Sequence, residues 1–229
     1  MPAFALIHTP LVGPGCWRAV AEALAREGHW ALAVDYGGAQ PPDWHAGVGA
    51  RAAAALHSAP GPLVLAAHSG AGALVGAIAG RLQPPPAGLV FVDSVLPTPG
   101  LSWLEAAPEA LAALARKLAQ DGVLPPWSRW WDKAAMKRVL PDAGARAVFE
   151  AGLPRVPLAY LGAPEPTGPA INPARAAYLR LSPACDSEAD EAKRRGWRIE
   201  RADLGHLAML TKPDRVARLL VETAGLLEG

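Results

Sequence analysis

The sequence lacks three things: an excess of one charge, a long apolar run and more than two cysteines. Its 22 lysines and arginines nearly balance its 21 aspartates and glutamates, which leaves a formal net charge of +1 at pH 7. No basic stripe with interleaved aromatic residues is present, so the charge pattern does not support a nucleic-acid partner or an acidic membrane surface. No apolar run approaches the roughly 20 residues that a helix needs to cross a bilayer. The composition therefore favours a protein that binds a small molecule.

The two cysteines and the first ten residues indicate in which compartment the protein is expected. Cys16 and Cys185 are far apart and form no C-x-x-C pair, so we expect idle thiols rather than a disulfide or a metal site. The first ten residues, MPAFALIHTP, have no basic segment and no cleavage site, and their apolar run is short for a secretory signal. We therefore expect a cytoplasmic protein.

Short apolar runs alternate with helical patterns through the first half of the chain. The apolar runs lie at 3–8, 30–35, 63–67 and 88–93. Such alternation in a chain of 229 residues predicts one α/β domain around a parallel sheet that is covered on both faces. Active sites of such sheets lie beyond the carboxyl ends of the strands. The residues that end these runs are therefore the candidates for function.

The alternation stops between residues 97 and 154. This segment has two helical patterns and is rich in proline and tryptophan, as in VLPPWSRWW at 123–131. It predicts a helical cap of residues 97–154 over a core made of residues 1–96 and 155–229. Trp127, Trp130 and Trp131 are expected to line a substrate pocket, although the same rings would also serve to anchor the cap.

One serine stands between a predicted strand and a predicted helix, in the stretch LVLAAHSGAG. Ser69 has small residues two positions before and after it, Ala67 and Ala71, which fits the small-x-Ser-x-small form of a nucleophile elbow. Such a turn presents the hydroxyl at the sheet edge, where the Gly70 N–H could stabilise an oxyanion. The alternative is that Ser69 only caps the helix.

Four stretches together resemble the α/β-hydrolase family. They are HTPLVGPGCW at 8–17, HSGAG at 68–72, VFVDSVLP at 90–97 and GHLAMLTKP at 205–213. The resemblance covers nearly the whole chain apart from the predicted cap and the linker after it. It implies an α/β-hydrolase fold, a mostly parallel, doubly wound sheet with a small helical cap, and a serine nucleophile that needs neither cofactor nor metal.

The resemblance also implies a base and an acid for Ser69. His206 lies where the family keeps the histidine that activates the serine, and it follows the serine in the chain, as in the family. Two aspartates compete for the third role. Asp186 follows the predicted strand at 176–181, which is the family's common location, but its acidic surroundings also read as a helix start. Asp93 ends the fourth strand directly and is preferred, with Asp186 kept as the alternative.

The loop after the first strand departs from the family pattern. Where the family has glycine followed by the second oxyanion donor, this chain has Thr9 and Pro10, and proline has no N–H. We expect the Leu11 N–H to join Gly70 in the oxyanion hole. The Thr9 hydroxyl is the alternative donor, and a reaction without a strong oxyanion is a third reading.

The function that follows is hydrolysis of a small carboxylic ester through an acyl intermediate on Ser69. Thr9 and the stretch SVLP at 94–97 also resemble the plant methyl-ester esterase and hydroxynitrile lyase branch. Leu207 stands where the lyases have a lysine, so lyase-like or carbon–carbon bond cleavage is the weaker alternative. A hydrolase-fold binding protein with little turnover is a further alternative, and the sequence does not indicate an oligomeric state.

Overall fold

A central parallel sheet organises the chain. The computed structural model describes residues 1–37, 43–167 and 171–227. Within that part the sheet has six strands, in the spatial order β2-β1-β3-β4-β7-β8, and β5 and β6 form a separate antiparallel pair. The strands are β1 (Ala3–Ile7), β2 (Ala31–Val34), β3 (Leu63–His68), β4 (Gly88–Val92), β5 (Val123–Leu124), β6 (Val156–Pro157), β7 (Ala176–Arg180) and β8 (Arg198–Arg201).

The inner strands are apolar on both sides because both sheet faces are covered. Every residue of β1 is buried, and successive side chains of a strand point to opposite faces. Phe4 and Leu6 accordingly join one apolar cluster, while Ala5 and Ile7 join the other. This pattern is typical of a parallel sheet between two helical layers.

Helices form both outer layers. α1 and α11 pack against each other over one face, and α2, α3 and α9 contribute apolar side chains to the cluster on the other face. None of the helices in the described ranges is both long and apolar enough to cross a membrane. The helices of these layers are α1 (Arg18–Arg26), α2 (Trp44–Ala55), α3 (Val75–Ala79), α9 (Asp186–Arg194) and α11 (Pro213–Gly225).

A helical segment separates β4 from its sheet neighbour β7. It starts after the β4 loop and continues to Leu161, a few residues beyond the end predicted for the cap. The five helices of this segment and the short helix before α11 are α4 (Trp103–Ala106), α5 (Glu109–Leu118), α6 (Lys133–Val139), α7 (Ala143–Ala151), α8 (Leu158–Leu161) and α10 (Ala208–Thr211). The two ends of the segment lie close together, since Ser102 and Pro164 form an antiparallel bridge, and the chain then returns to the start of β7, which runs parallel to β4.

Candidate active site

Two of the three non-glycine residues with positive φ in the described part of the chain follow β3 and β4, and the third is Asp121, just before β5. Ser69 follows β3 with φ 57°, and Asp93 follows β4 with φ 45°. Non-glycine residues rarely adopt this left-handed region, and such strain is often found at functional sites. At Ser69 the strand turns sharply into a helix, and the flanking Ala67 and Ala71 are buried. The elbow geometry that the sequence predicts is therefore present.

The elbow is pressed against the loop that follows β4. A Cβ at Gly72 would lie 1.9 Å from the carbonyl oxygen of Val95, so only glycine fits there. The Ser69 carbonyl accepts hydrogen bonds from the Val95 N–H (3.1 Å) and the Ser94 hydroxyl (2.6 Å). The first turn is a 3-10 helix, Ser69–Leu74, before α3 begins. The α-helix predicted from residue 70 onward thus starts later, because the close loop contacts shape the first turn.

His206 connects the serine to a carboxylate. It lies in the loop after β8, where Gly205 has φ 99°. Its Nε2 is 3.2 Å from Ser69 Oγ, and its Nδ1 is 2.9 Å from Asp93 Oδ2. An ionised carboxylate can only accept, so Nδ1 carries the proton and Nε2 is free to accept from the serine hydroxyl. The three side chains form one hydrogen-bonded chain at the carboxyl edge of the sheet.

Asp93 is buried but held by several donors. Its Oδ1 accepts from the N–H groups of Leu181 (2.7 Å) and Ser182 (2.9 Å), and its Oδ2 also accepts from the Ser182 hydroxyl (2.6 Å). Burial alone would raise the pKa of this carboxyl, but the hydrogen bonds from His206, Ser182 and Leu181 outweigh burial and lower the pKa to about 2. Asp93 is therefore a carboxylate at neutral pH.

Asp186 lies elsewhere, at the first position of α9. Its Oδ1 accepts from Arg180 Nε at 2.7 Å and from an Arg201 guanidinium nitrogen at 2.9 Å. These arginines come from β7 and β8, so Asp186 ties α9 to the sheet. The structure does not bring Asp186 to His206, in agreement with the alternative reading of its acidic surroundings as a helix start.

His68 is not among the site residues that the sequence predicts, and the structure places it in contact with His206. The His68 side chain is fully buried, its ring centroid lies 4.7 Å from that of His206, and its Nε2–H donates to the His206 carbonyl oxygen at 3.0 Å. Burial, reinforced by the nearby His206, lowers the pKa of His68 to about 3. His68 is therefore a neutral donor that fixes the His206 loop. The signal in the sequence was its place before Ser69 on a strand, which turns its side chain away from the serine hydroxyl.

The loop after β1 places a hydroxyl rather than an amide beside Gly70. The Thr9 side chain is buried, and a Cβ at Gly70 would lie only 2.8 Å from Thr9 Oγ1. The Leu11 N–H is 3.5 Å from the same oxygen and is directed at it. The Thr9 carbonyl accepts from the N–H groups of Val12 and Gly13, which closes the turn around Pro10. The Leu11 N–H, which is the donor predicted from the sequence, is thus directed at the hydroxyl of Thr9, which is the alternative donor.

A cavity of about 380 Å³ lies over Ser69. The sequence-predicted tryptophans Trp127, Trp130 and Trp131 all line it, together with Trp103 of α4. The Trp127 ring centroid is 6.4 Å from that of His206, and Trp131 is 38% exposed. The cavity is therefore largely apolar, its floor is the Ser69–His206 pair, and Trp131 lies where its wall meets solvent.

One cluster of potential metal ligands coincides with this site. Potential ligand atoms of Asp93, Cys185 and His206 lie within 4.8 Å of one another. The oxygens of Asp93 are occupied by hydrogen-bond donors, and burial, with the charges of Asp93 and Glu188, raises the pKa of the Cys185 thiol to about 12. A metal binds the thiolate, not the thiol. The cluster is therefore better suited to hydrogen bonding than to metal coordination.

Comparison with protein families gives one match over most of the chain. The family model described as "Alpha/beta hydrolase family" matches residues 5–219. No curated protein sequence matches the chain.

Several solved structures share the fold over nearly their whole length. An extracellular α/β-hydrolase from a Paenibacillus species is 17% identical with a TM-score of 0.78, covering 97% of this chain and 99% of that one. A pyrethroid hydrolase from Sphingobium faniae is 20% identical with a TM-score of 0.69, covering 98% of each chain. A methylesterase from Arabidopsis is 13% identical with a TM-score of 0.71, covering 98% of this chain and 99% of that one. At these identities the likeness shows the fold alone.

Proposed function

The chain belongs to the alpha/beta hydrolase family, and on that premise we propose that it is a serine hydrolase that cleaves small carboxylic esters. The observation that carries the proposal is the chain of hydrogen bonds from Ser69 Oγ to His206 Nε2 (3.2 Å) and from His206 Nδ1 to Asp93 Oδ2 (2.9 Å). A serine hydroxyl is a weak nucleophile until an adjacent base takes its proton. Here the base is in reach, and a carboxylate holds it in the required tautomer.

The reaction proceeds in two halves. Ser69 Oγ attacks the ester carbonyl carbon while its proton moves to His206 Nε2, and the buried Asp93 carboxylate stabilises the resulting imidazolium. The tetrahedral intermediate collapses, and the alcohol leaves with the proton from His206, which leaves an acyl group on Ser69. Water then attacks the acyl carbon with His206 as base, and the acid is released. Asp186 takes no part in this scheme.

The oxyanion is held by the Gly70 N–H and the Thr9 hydroxyl in this proposal. Pro10 has no N–H to give, and the Leu11 N–H is directed at Thr9 Oγ1 rather than at the substrate. Because Thr9 Oγ1 accepts from Leu11, its own proton is free to point into the cavity beside Gly70. The Leu11 amide thus acts through Thr9, by orienting its hydroxyl.

Substitution of Thr9 tests this arrangement. Thr9→Val keeps the shape of the side chain but removes the donor, and loss of one oxyanion donor lowers kcat by about 100-fold or more. Thr9→Ser keeps the hydroxyl and is expected to retain most of kcat. The measurement is steady-state hydrolysis of p-nitrophenyl butyrate, with near-equal KM values in both variants. A Thr9→Val enzyme with wild-type kcat would return the role to the Leu11 amide.

The cavity supports an ester with an apolar group. Its tryptophan walls favour an aryl or aliphatic acyl group of moderate size, and burial of such a group is worth about 25 cal/mol for each Å² of apolar surface. The names of two fold relatives, a pyrethroid hydrolase and a methylesterase, agree with an ester substrate. We assign residues 97–154 the role of a cap, since Trp127, Trp130 and Trp131 from this segment cover Ser69.

Covalent labelling tests the nucleophile. A fluorophosphonate probe is expected to modify the protein once, on the peptide that contains Ser69, as read by mass spectrometry. Ser69→Ala should abolish labelling, and Ser58→Ala, which removes an exposed hydroxyl, should label at the wild-type rate. Labelling that survives in Ser69→Ala would assign the nucleophile to another residue.

A further inference from the structure

A second cavity lies directly beside the Ser69 cavity, and we infer that the two join, that the second receives the alcohol arm of the ester and that it favours an arm with a cationic end. This groove of about 440 Å³ lies between α4–α5 and α9. The two cavities share the wall residues Val95, Trp103, Leu111 and Ala184. The inference rests on the proposed ester hydrolysis at Ser69. Joined to the groove, the substrate site is larger than a small acyl group requires.

The position of His206 decides which arm enters the groove. The leaving alcohol receives its proton from His206, so its oxygen lies on the His206 side of the carbonyl carbon. The groove is reached past Ala184, whose neighbour Cys185 has its thiol within 4.8 Å of potential ligand atoms of His206 and Asp93. An arm that continues from the alcohol oxygen past Ala184 therefore enters the groove. The acyl arm remains between the tryptophans.

The groove combines an apolar wall with three carboxylates, of which two are already compensated. Glu165 accepts from the N–H (2.8 Å) and the hydroxyl (3.1 Å) of Thr98. Glu191 is paired with Arg195 at 2.9 Å and also with Arg194. These contacts leave little for a ligand to gain at either carboxylate.

Glu188 differs from the other two carboxylates. It is half-buried, and its Oε2 accepts from the Ser187 hydroxyl at 2.8 Å. Within the described residues neither Glu188 nor Glu165 has an ion pair with a lysine, arginine or histidine, but both oxygens of Glu165 already accept from Thr98, whereas Glu188 has the Ser187 hydroxyl as its one donor. Its place in the first turn of α9 suits the helix dipole, which explains a carboxylate in this helix but not its position in the wall of a groove. A cation at the end of the alcohol arm would be its partner.

Two esters of hexanoic acid, one with a cationic alcohol arm and one with a neutral arm of the same shape, distinguish the effect of charge on kcat/KM from the effect of shape. Hexanoylcholine carries a quaternary ammonium group, and 3,3-dimethylbutyl hexanoate is its uncharged isostere. In the wild type we expect kcat/KM to be about fivefold higher for the choline ester, as for a partly exposed ion pair. Glu188→Gln should lower this ratio about fivefold, because the ion pair is lost while the intrinsic reactivity of the two esters is unchanged. Glu150→Gln removes the same charge from an exposed position on α7 and should keep the wild-type ratio.

A groove-filling variant tests the location independently of charge. Ala107 lines the groove but not the Ser69 cavity. Ala107→Phe is expected to lower kcat/KM for both long esters about tenfold and to leave methyl hexanoate unchanged. No preference in the wild type, a ratio that Glu188→Gln does not lower, or an equal loss for the methyl ester would each overturn the inference.

Binding without turnover keeps this test separate from the proposed chemistry. The hexyl ethers of the same two alcohols cannot be hydrolysed, and their affinities for Ser69→Ala can be measured by isothermal titration calorimetry. A fivefold tighter binding of the cationic ether that Glu188→Gln removes supports the groove even if no ester is cleaved. Equal binding of both ethers contradicts it. Failure of ester hydrolysis alone contradicts only the role of Ser69.

Discussion

Replacing Ser69 by alanine is expected to lower kcat for p-nitrophenyl butyrate by about a million-fold, because Ser69 is the residue proposed to form the acyl intermediate. Removal of a triad serine in a hydrolase whose triad acts as a unit has an effect of this order. Alanine accepts the same positive φ about as well as serine does, so the elbow is expected to remain folded. Unchanged circular dichroism and thermal midpoint would show this.

The double variant makes the test of Ser69 sharper. If Ser69 and His206 act in one step, removal of both costs little more than removal of either. Ser69→Ala with His206→Ala should therefore have the same residual kcat as Ser69→Ala. Losses that multiply would show two independent contributions and contradict the proposed proton transfer between them.

Asp93→Asn is expected to lower kcat by about 10⁴-fold with little change in KM. The amide oxygen of asparagine can still accept from the N–H groups of Leu181 and Ser182. Its NH₂ group, however, would face His206 Nδ1 and force that nitrogen to accept. Nε2 would then carry the proton, and His206 could no longer take one from Ser69. The measurement is kcat across pH 5 to 9, since a wrong tautomer depresses the rate at every pH.

Asp186→Asn is the matched control for Asp93→Asn. Asp186 binds Arg180 and Arg201 at the start of α9, so its replacement is expected to change kcat less than threefold, with only a small loss of stability, as for other exposed ion pairs. Thermal unfolding and kcat together separate the two effects. If Asp186→Asn lowers kcat more than Asp93→Asn does, Asp186 is the residue that orients His206.

Much of the fold followed from local patterns. The apolar runs that become β1, β3 and β4 are short, continuous and separated by helical spacing, and a parallel sheet is the arrangement that buries such strands on both faces. The α/β-hydrolase resemblance is confirmed by the family match over residues 5–219, and the predicted fold by the six parallel strands. The elbow at Ser69 could be predicted because the small residues that it requires, Ala67 and Ala71, lie only two positions from the serine in the sequence.

The choice between Asp93 and Asp186 could not be made in the same way. Both aspartates follow neighbouring strands, β4 and β7, at the same edge of the sheet. What separates them is which partners each carboxylate finds: backbone N–H groups after β7 bind Asp93, whereas arginines of β7 and β8 bind Asp186. The partners of Asp93 are distant in sequence, and the presence of Arg180 six residues before Asp186 does not by itself predict an ion pair, so spacing alone leaves both aspartates open.

The second donor of the proposed oxyanion hole also could not be identified from the sequence alone. Pro10 showed which amide is missing, but the direction of the Leu11 N–H depends on how the loop turns around the Thr9 carbonyl. A preference for Leu11 was reasonable from chain position alone. The Thr9 hydroxyl is the better candidate because its side chain is buried so close to Gly70 that a Cβ there would lie 2.8 Å from Thr9 Oγ1.

Two consecutive residues of the elbow hold His206 at different atoms. Ser69 contacts its imidazole, and His68 binds its backbone carbonyl, although the loop of His206 lies 137 residues further along the chain. Local opening of the loop that contains His206 would therefore move its imidazole away from Ser69 and break the His68 hydrogen bond at the same time. The fraction of molecules with an assembled site therefore depends on the local stability of that loop. A molecule that is folded elsewhere but open at this loop would be inactive.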